Sequence, residues 1–371
     1  MMRRKRLLLN AEAFGFGTTA AIADFFPSLR GEFEHIAFAG SGHTLDLQRG
    51  LAYDAVYDLG QDCSLSDLLG GYDVFLTAMD FAYAEEAIQA GLDTIVYDPL
   101  LWYWRERPAL LDAPVLYLAQ DFYSVRERFP GARAALEYVP PLIHRVKRNG
   151  DASLVLVNFG GIQNPFWPDQ ICVAYAERLI TVLKEVLEGE EICILSSSYL
   201  SQSLQHLGVQ TLARAELCAL LPSVKFAIQS SGLANIYDSA AYDVPTLFLP
   251  PANDSQGQQL DLLRAHGHLD LFLDWSAFGQ DWCIDYRLGQ AEVMEAIGKR
   301  VRDLAKHPDL LEKMLSDRID ALRTLKGSQT RALLRRFGVN GTERVCEAVL
   351  RFVDDPSYKE QLCLSSIGNL N

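Results

Sequence analysis

Residues 230–238, SSGLANIYD, place two serines, a glycine, an alanine and an asparagine at the start of a helical pattern, with an aspartate one turn deeper. A helix N-terminus presents unpaired N–H groups and about half a positive charge, so an approach free of bulky side chains attracts phosphate. Ser230, Ser231, Gly232, Ala234 and Asn235 leave that approach open, and Asp238 falls where a carboxylate could take both hydroxyls of a ribose. The same residues also suit a serine N-cap and close helix packing. The residues downstream separate the two readings. Strand TLFLP leads into PANDSQGQQ, where Asn253, Asp254, Ser255, Gln256 and Gln258 form a loop of hydrogen-bonding partners suited to sugar hydroxyls. Phosphate at one loop and hydroxyls at the next point to a nucleotide sugar. A third small-residue turn, Gly160 and Gly161, ends the apolar run VLVNFGG.

The first half of the chain holds its own glycine turn, in which Gly15, Gly17 and Ala20 satisfy the G-x-G-x-x-A pattern of a dinucleotide site. Such a site also wants a carboxylate at the end of the second strand, and HIAFAGSGH offers Gly40, Ser41, Gly42 and His43 instead. That argues against NAD and leaves tight strand-to-helix packing as the reading of these glycines. Candidate general bases are Glu12, His43, Asp80 and Asp98, all at the carboxyl ends of expected strands, where open α/β sheets place ligands. Each also reads as a cap or a structural polar residue. Asp80 and Glu12 rank first and His43 follows; the sequence does not choose among them. Trp102, Tyr103, Trp104 and Arg105 crowd one loop-like stretch, as an acceptor-pocket wall or as a hydrophobic plug between domains. His266 and His268 have an H-x-H spacing but no cysteine or carboxylate at ligand spacing, so no metal site is expected.

The elements that must position these residues alternate. Short runs such as RLLLN, HIAFAG, YDVFLTAM and DTIVYDP are separated by helical patterns, which implies parallel sheets covered on both faces. After PPLIHRVKRNGDAS the rhythm restarts with SLVLVNFGG, and from about residue 289 only helical patterns remain. At 371 residues the chain is too long for one ordinary core. The expected class is α/β, with two successive Rossmann-like halves and C-terminal helices.

Composition narrows the partners. A 49% hydrophobic and 22% charged chain should fold into packed domains. A net charge of −14 opposes binding to nucleic acid or to an anionic bilayer. No apolar run is long enough for a membrane span or a secretory signal, and the opening MMRRKR reads as a charged tag. The seven cysteines are scattered without CxxC spacing, as reduced core residues of a cytoplasmic protein.

The ordered motifs SSG, Asp238, Asp243-Val244-Pro245, TLFLP and NDSQ resemble the C-terminal half of the GT-B glycosyltransferases, especially those similar to the peptidoglycan N-acetylglucosaminyltransferase and the natural-product UDP-glycosyltransferases. The resemblance implies two facing Rossmann-like domains: an acceptor domain over 1–143, a linker over 144–153 and a nucleotide-sugar domain over 154–340. Helices over 341–371 would then return to the first domain. It implies a cytoplasmic hexosyltransferase that moves sugar from a UDP- or dTDP-sugar to a small soluble acceptor, inverting by family habit. No cofactor or metal would be needed, because helix dipoles and loop N–H groups neutralise the leaving diphosphate. By that resemblance the Ser231 to Asn235 region would hold the diphosphate, Asp238 the ribose, and Asp254 with Gln256 the donor sugar; Gly160, Gly161, Ser230, Asn253 and Ser255 join these groups by their place in the chain. No nucleic acid and no membrane insertion is expected, and a homodimer is left open. Two departures matter: the family's glutamate is Asp238 here, and Thr18 stands where a histidine base is usual, although threonine is no base near neutral pH. The rival readings are a nucleotide-sugar hydrolase or epimerase on the same fold, and a noncatalytic nucleotide-sugar-binding partner.

Overall fold

Runs of Val, Ile, Leu and Phe bounded by polar turns form strands buried on both faces, and the order of those strands creates two crevices. A computed structural model describes residues 5–143, 152–160, 162–304, 306–355 and 358. Of the expected linker, residues 144–151 lie outside the described residues, as does Gly161. The described residues up to Ile143, together with those from Phe337 onward, form one compact unit, and those between them, up to Arg336, form another.

The first unit runs β1 (Arg6–Ala11), α1 (Gly17–Leu29), β2 (His35–Gly40), β3 (Ala55–Asp58), α2 (Leu65–Leu69), β4 (Val74–Ala78), α3 (Phe81–Gln89), β5 (Asp93–Asp98), β6 (Leu116–Gln120), α4 (Val125–Arg128) and β7 (Ala135–Val139). Its seven strands are parallel, in the order β3-β2-β1-β4-β5-β6-β7. Leu7, Leu9 and Phe38 face one helical layer and Leu8, Ala37 and Phe75 the other, so both faces are covered. The sequence does not announce β3, a short edge strand with Val56 exposed, because its AVYD lacks the apolar run of a buried strand.

The second unit runs β8 (Leu154–Asn158), α5 (Asp169–Val186), β9 (Ile192–Leu195), α6 (Ser198–Ser203), β10 (Val209–Gln210), α7 (Arg214–Leu220), β11 (Val224–Gln229), α8 (Leu233–Tyr242), β12 (Thr246–Phe248), α9 (Asp254–Ala265), β13 (Leu271–Phe272), α10 (Gln290–Leu304) and α11 (Pro308–Arg323). Its six parallel strands follow the order β10-β9-β8-β11-β12-β13.

The chain then passes through α12 (Ala332–Phe337) to α13 (Gly341–Asp354), which packs on α1, β6 and β7 of the first unit. Val345, Val349, Phe352 and Val353 form its buried stripe, each worth about 1.5–3 kcal/mol of burial. The helix begins where its backbone crosses that of Pro140 and Pro141. A Cβ on Gly341 would lie 2.1 Å from the Pro140 carbonyl, so only glycine fits.

Each sheet begins at a central strand, steps outward over two more strands and then resumes on the other side of the first. The direction of winding reverses between β1 and β4, and again between β8 and β11. At such a point the loops leaving the carboxyl ends of the two strands diverge and open a crevice, the place where doubly wound sheets bind ligands.

Candidate active site

In the first unit, Ala11 is in register with Ala78 of β4, and Ala78 with Tyr97 of β5. Glu12, Asp80 and Asp98 therefore leave or end three adjacent strands at one edge, at and beside the point of reversal. Met79 turns the chain there with a positive φ of 68°, an uncommon conformation for methionine, and its N–H donates to the Tyr97 carbonyl at 3.1 Å. Asp80 caps α3, accepting from the Tyr83 N–H at 3.2 Å. Asp98 is fully buried and accepts from the Tyr117 hydroxyl at 2.6 Å, the Trp104 indole at 2.9 Å and the Leu100 N–H at 2.7 Å.

Burial disfavours the ionised form of all three carboxyls. The Glu12 carboxyl is pushed up to about 7, first by burial and then by the negative charges of Asp80 and Asp98. Asp98 is raised to about 6, because burial outweighs the three hydrogen bonds that favour its charge. Asp80 is raised by burial against the opposing pull of the Tyr83 amide. A carboxyl near 7 is matched to proton transfer at neutral pH.

The structure thus brings Glu12 and Asp80 together with Asp98 and directs His43 elsewhere. His43 Nε2 lies 2.7 Å from the Gly15 carbonyl, an acceptor, so this nitrogen carries the proton. The ring meets Phe16 edge-on at 5.4 Å, and His43 anchors the loop between β1 and α1. Gly15 has a φ of +65°, which this turn requires. The buried Thr18 hydroxyl donates to the Glu12 carbonyl at 2.7 Å, so it steadies the loop that carries Glu12.

The aromatic stretch divides. Trp102 is buried, donates to the Pro99 carbonyl at 3.2 Å and packs on Phe122 at 5.0 Å, as core. Trp104 is half-buried and tilts against the half-buried Phe81 at 5.5 Å, on the Asp98 side. Those two rings form an apolar wall beside the carboxyls.

In the second unit the matching edge lies at the ends of β8, β11 and β12, where Gln229 is in register with both Asn158 and Phe248. Asn235, in the first turn of α8, is the hub. Its Nδ2 donates to the Ser230 carbonyl at 3.0 Å and the Ser230 hydroxyl oxygen at 3.1 Å, and its Oδ1 accepts from Asn158 Nδ2 at 3.2 Å. Asn158 also accepts from the Gly160 N–H at 2.8 Å, and the Ser230 hydroxyl donates to the Gly160 carbonyl. The network joins the loop after β8 to the loop after β11. Gly232 caps α8 without a side-chain bond to the helix, and nothing lies within 4 Å of where its Cβ would be. The space over Gly232 at this helix end is therefore open, as an approaching phosphate would require.

Two expectations change. Residues 253–256 are not a loop: Asn253 is the N-cap of α9, accepting from the Gln256 N–H at 2.9 Å, and Asp254, Ser255 and Gln256 form its first turn, all buried. An asparagine cap pulls the helix start forward by a full turn. Gln256 turns back to accept from the Ala252 N–H at 2.9 Å, and Gln258 donates to the Tyr286 carbonyl at 2.9 Å. Second, Asp238 does not stand alone. Arg214, at the start of α7, donates to both its oxygens at 2.6 and 2.8 Å. Sequence reasoning misses Arg214 because a partner two elements away leaves no spacing signal. Asn158 and Gln229 have a visible one, a polar residue closing an apolar run, LVLV in β8 and FAI in β11. His266 and His268 stack at 6.2 Å, and among the described residues no cluster of three metal-ligating side chains occurs.

No protein-family model and no curated protein matches this chain. Solved structures do match its fold. A protein of O. sativa solved with U2F and trichothecene aligns at a TM-score of 0.56 and 12% identity, over 93% of this chain and 99% of that one. Another structure of that protein, with UDP and deoxynivalenol-3-glucoside, aligns at 0.52 and 11% identity over 93% and 99%. MurG of Acinetobacter baumannii aligns at 0.50 and 14% identity, over 94% and 99%. The fold of this chain, two Rossmann-like units with a last helix packed on the first, is that of the GT-B glycosyltransferases.

Proposed function

We propose that this protein is a glycosyltransferase that moves a sugar from a nucleoside diphosphate donor to a small-molecule hydroxyl or amine, with Glu12 as the general base. The observation that carries the reading is the place of Glu12, at the end of β1 where the winding of its sheet reverses, with the Asp80 and Asp98 carboxyls at the ends of the next two strands; burial and those charges push its carboxyl up to about 7. The acceptor gives its proton to Glu12 as its oxygen or nitrogen bonds to the anomeric carbon. The bond from that carbon to the diphosphate breaks, and the diphosphate keeps the electron pair. The open N-terminus of α8 then stabilises the leaving charge, with Gly160 and the residues from Ser230 to Asn235 around it. Asp238 takes the ribose on the lone pairs that Arg214 leaves, and the first turn of α9 faces the donor sugar.

UDP in a structure of like fold supports a uridine donor, and the trichothecene in one such structure and the deoxynivalenol-3-glucoside in another support a small acceptor. A soluble acceptor met in the cytoplasm completes the reading. No helix among the described residues is long and apolar enough to cross a membrane. The test is donor turnover measured with and without an acceptor panel. Acceptor-dependent release of UDP or dTDP supports transfer. Release of free sugar or an epimer from donor alone replaces transfer with hydrolysis or epimerisation, and binding without any turnover replaces it with a noncatalytic role.

A further inference from the structure

Gly257 follows the first turn of α9, and the space beside it is taken. A Cβ there would fall inside the ring of Tyr286, against its Cδ1, Cγ and Cε1 atoms, so ring and helix approach as closely as bare backbone allows. Tyr286 is buried; its hydroxyl donates to Asp274 Oδ1 at 2.6 Å, and its carbonyl accepts from Gln258 Nε2 at 2.9 Å. Asp274 opens the same stretch of chain and caps the short helical turn Trp275–Phe278, accepting from the Ser276 N–H at 3.0 Å. Residues 274–286 are therefore a strap tied end to end and fastened to α9.

The strap also holds the approach to that helix. Trp275 is fully buried, stacks on Trp282 at 6.3 Å and donates from Nε1 to the Pro251 carbonyl at 2.9 Å. Pro251 stands two residues before the Asn253 cap, and Gln256 reaches back to the Ala252 N–H. Asp254, Ser255 and Gln256 are thus held in front through Pro251 and behind through Gly257.

We propose that Tyr286 is a positioning residue for the donor sugar: its ring, seated on Gly257, fixes the first turn of α9 and so decides which sugars the site accepts. This rests on the reading that the first turn of α9 faces the donor sugar. A ring packed on bare backbone resists sliding, because a gap of about 0.5–1 Å already forfeits much of the dispersion contact. Hydrogen bonds from Asp254 or Gln256 to a sugar hydroxyl are as sensitive to distance, whereas a diphosphate at α8 should feel the shift little.

The experiment titrates UDP, dTDP, their glucose and galactose derivatives and UDP-N-acetylglucosamine by calorimetry into the parent, Tyr286→Leu, Gly257→Ala and Tyr286→Phe. The quantity read is the sugar preference, the ratio of affinities between the tightest and the weakest sugar on one nucleotide. Leucine takes the flat ring out of the slot, and an alanine Cβ drives the ring off the helix. Each should lower the preference by about tenfold, the worth of one misplaced hydrogen bond, while affinity for the free nucleotide stays within about twofold of the parent. Tyr286→Phe keeps the ring in place and should keep the preference. A preference unchanged in either Tyr286→Leu or Gly257→Ala overturns the positioning role. A preference lost in Tyr286→Phe overturns the ring as the group responsible, and equal loss of free-nucleotide affinity marks Tyr286 as structural only. A parent that binds free nucleotide without distinguishing the sugars, or binds none of these compounds, overturns instead the reading of α9 on which this one rests.

Discussion

Arg214 grips both carboxylate oxygens of Asp238, at 2.6 and 2.8 Å, with the two side chains only 9% and 8% exposed. A buried pair of this kind is costly to break from one side, because the survivor keeps a charge without a partner. Arg214→Met or Asp238→Leu alone should each destabilise the fold by about 3–5 kcal/mol, and the double variant should recover most of that loss. Urea denaturation midpoints of the two singles and the double decide it, and additive losses would contradict the pairing.

The same pair offers a test of the proposed ribose contact. Asp238→Asn keeps the shape of the side chain, and if the ribose uses lone pairs that Arg214 leaves, UDP affinity should fall by about tenfold, the worth of a hydrogen bond to a charged group. Calorimetric titration at constant pH reads the change. Unchanged affinity would leave Asp238 as a structural anchor and remove it from the donor site.

If Glu12 is the base, one carboxyl links activity to stability, and with a definite sign. Its carboxyl sits near 7 in the folded protein against an ordinary 4.5, so the folded state holds the proton more tightly between those values. Stability therefore falls as pH rises through that window and stays reduced above it, by up to a few kcal/mol. Glu12→Gln should lower kcat by about a hundredfold or more. It should also melt higher than the parent at pH 8 and close to it at pH 4. A variant that melts lower at pH 8 would contradict the strained carboxyl.

Asn235 joins two loops through its amide. Asn235→Ala would leave Asn158 Nδ2 and the Ser230 carbonyl without these bonds. The expected cost is about 1–3 kcal/mol in thermal stability, together with weaker nucleotide binding. Loss of stability without loss of affinity would show that the network is scaffold alone.

Much of the fold can be read from the residues, because a buried parallel strand writes itself as an apolar run and a helix as a period. LLLNA, HIAFAG, VFLTA and LVLVN all announce themselves in this way. AVYD at β3 and LF at β13 do not, being short or at an edge, where burial imposes no pattern. At the site, small residues before α8 and acids at strand ends are legible because backbone geometry places them by position in the chain. The Arg214 grip on Asp238, the three donors to Asp98 and the proton on His43 Nε2 arise from side chains brought together by folding. The start of α9 escapes a sequence reading for a related reason: Asn253 serves equally as a loop residue and as a cap, and only the Gln256 N–H in front of it decides.

A nucleotide-sugar site on the second unit, as proposed, would make itself felt in the stability of the protein when its ligand binds. UDP, dTDP and their sugars, each at about a hundredfold excess over the dissociation constant, should stabilise the protein by about 2.7 kcal/mol, a clear rise in melting temperature. NAD and inorganic phosphate at equal concentration should do far less. No shift with any uridine or thymidine nucleotide would mean that the second unit holds no such site.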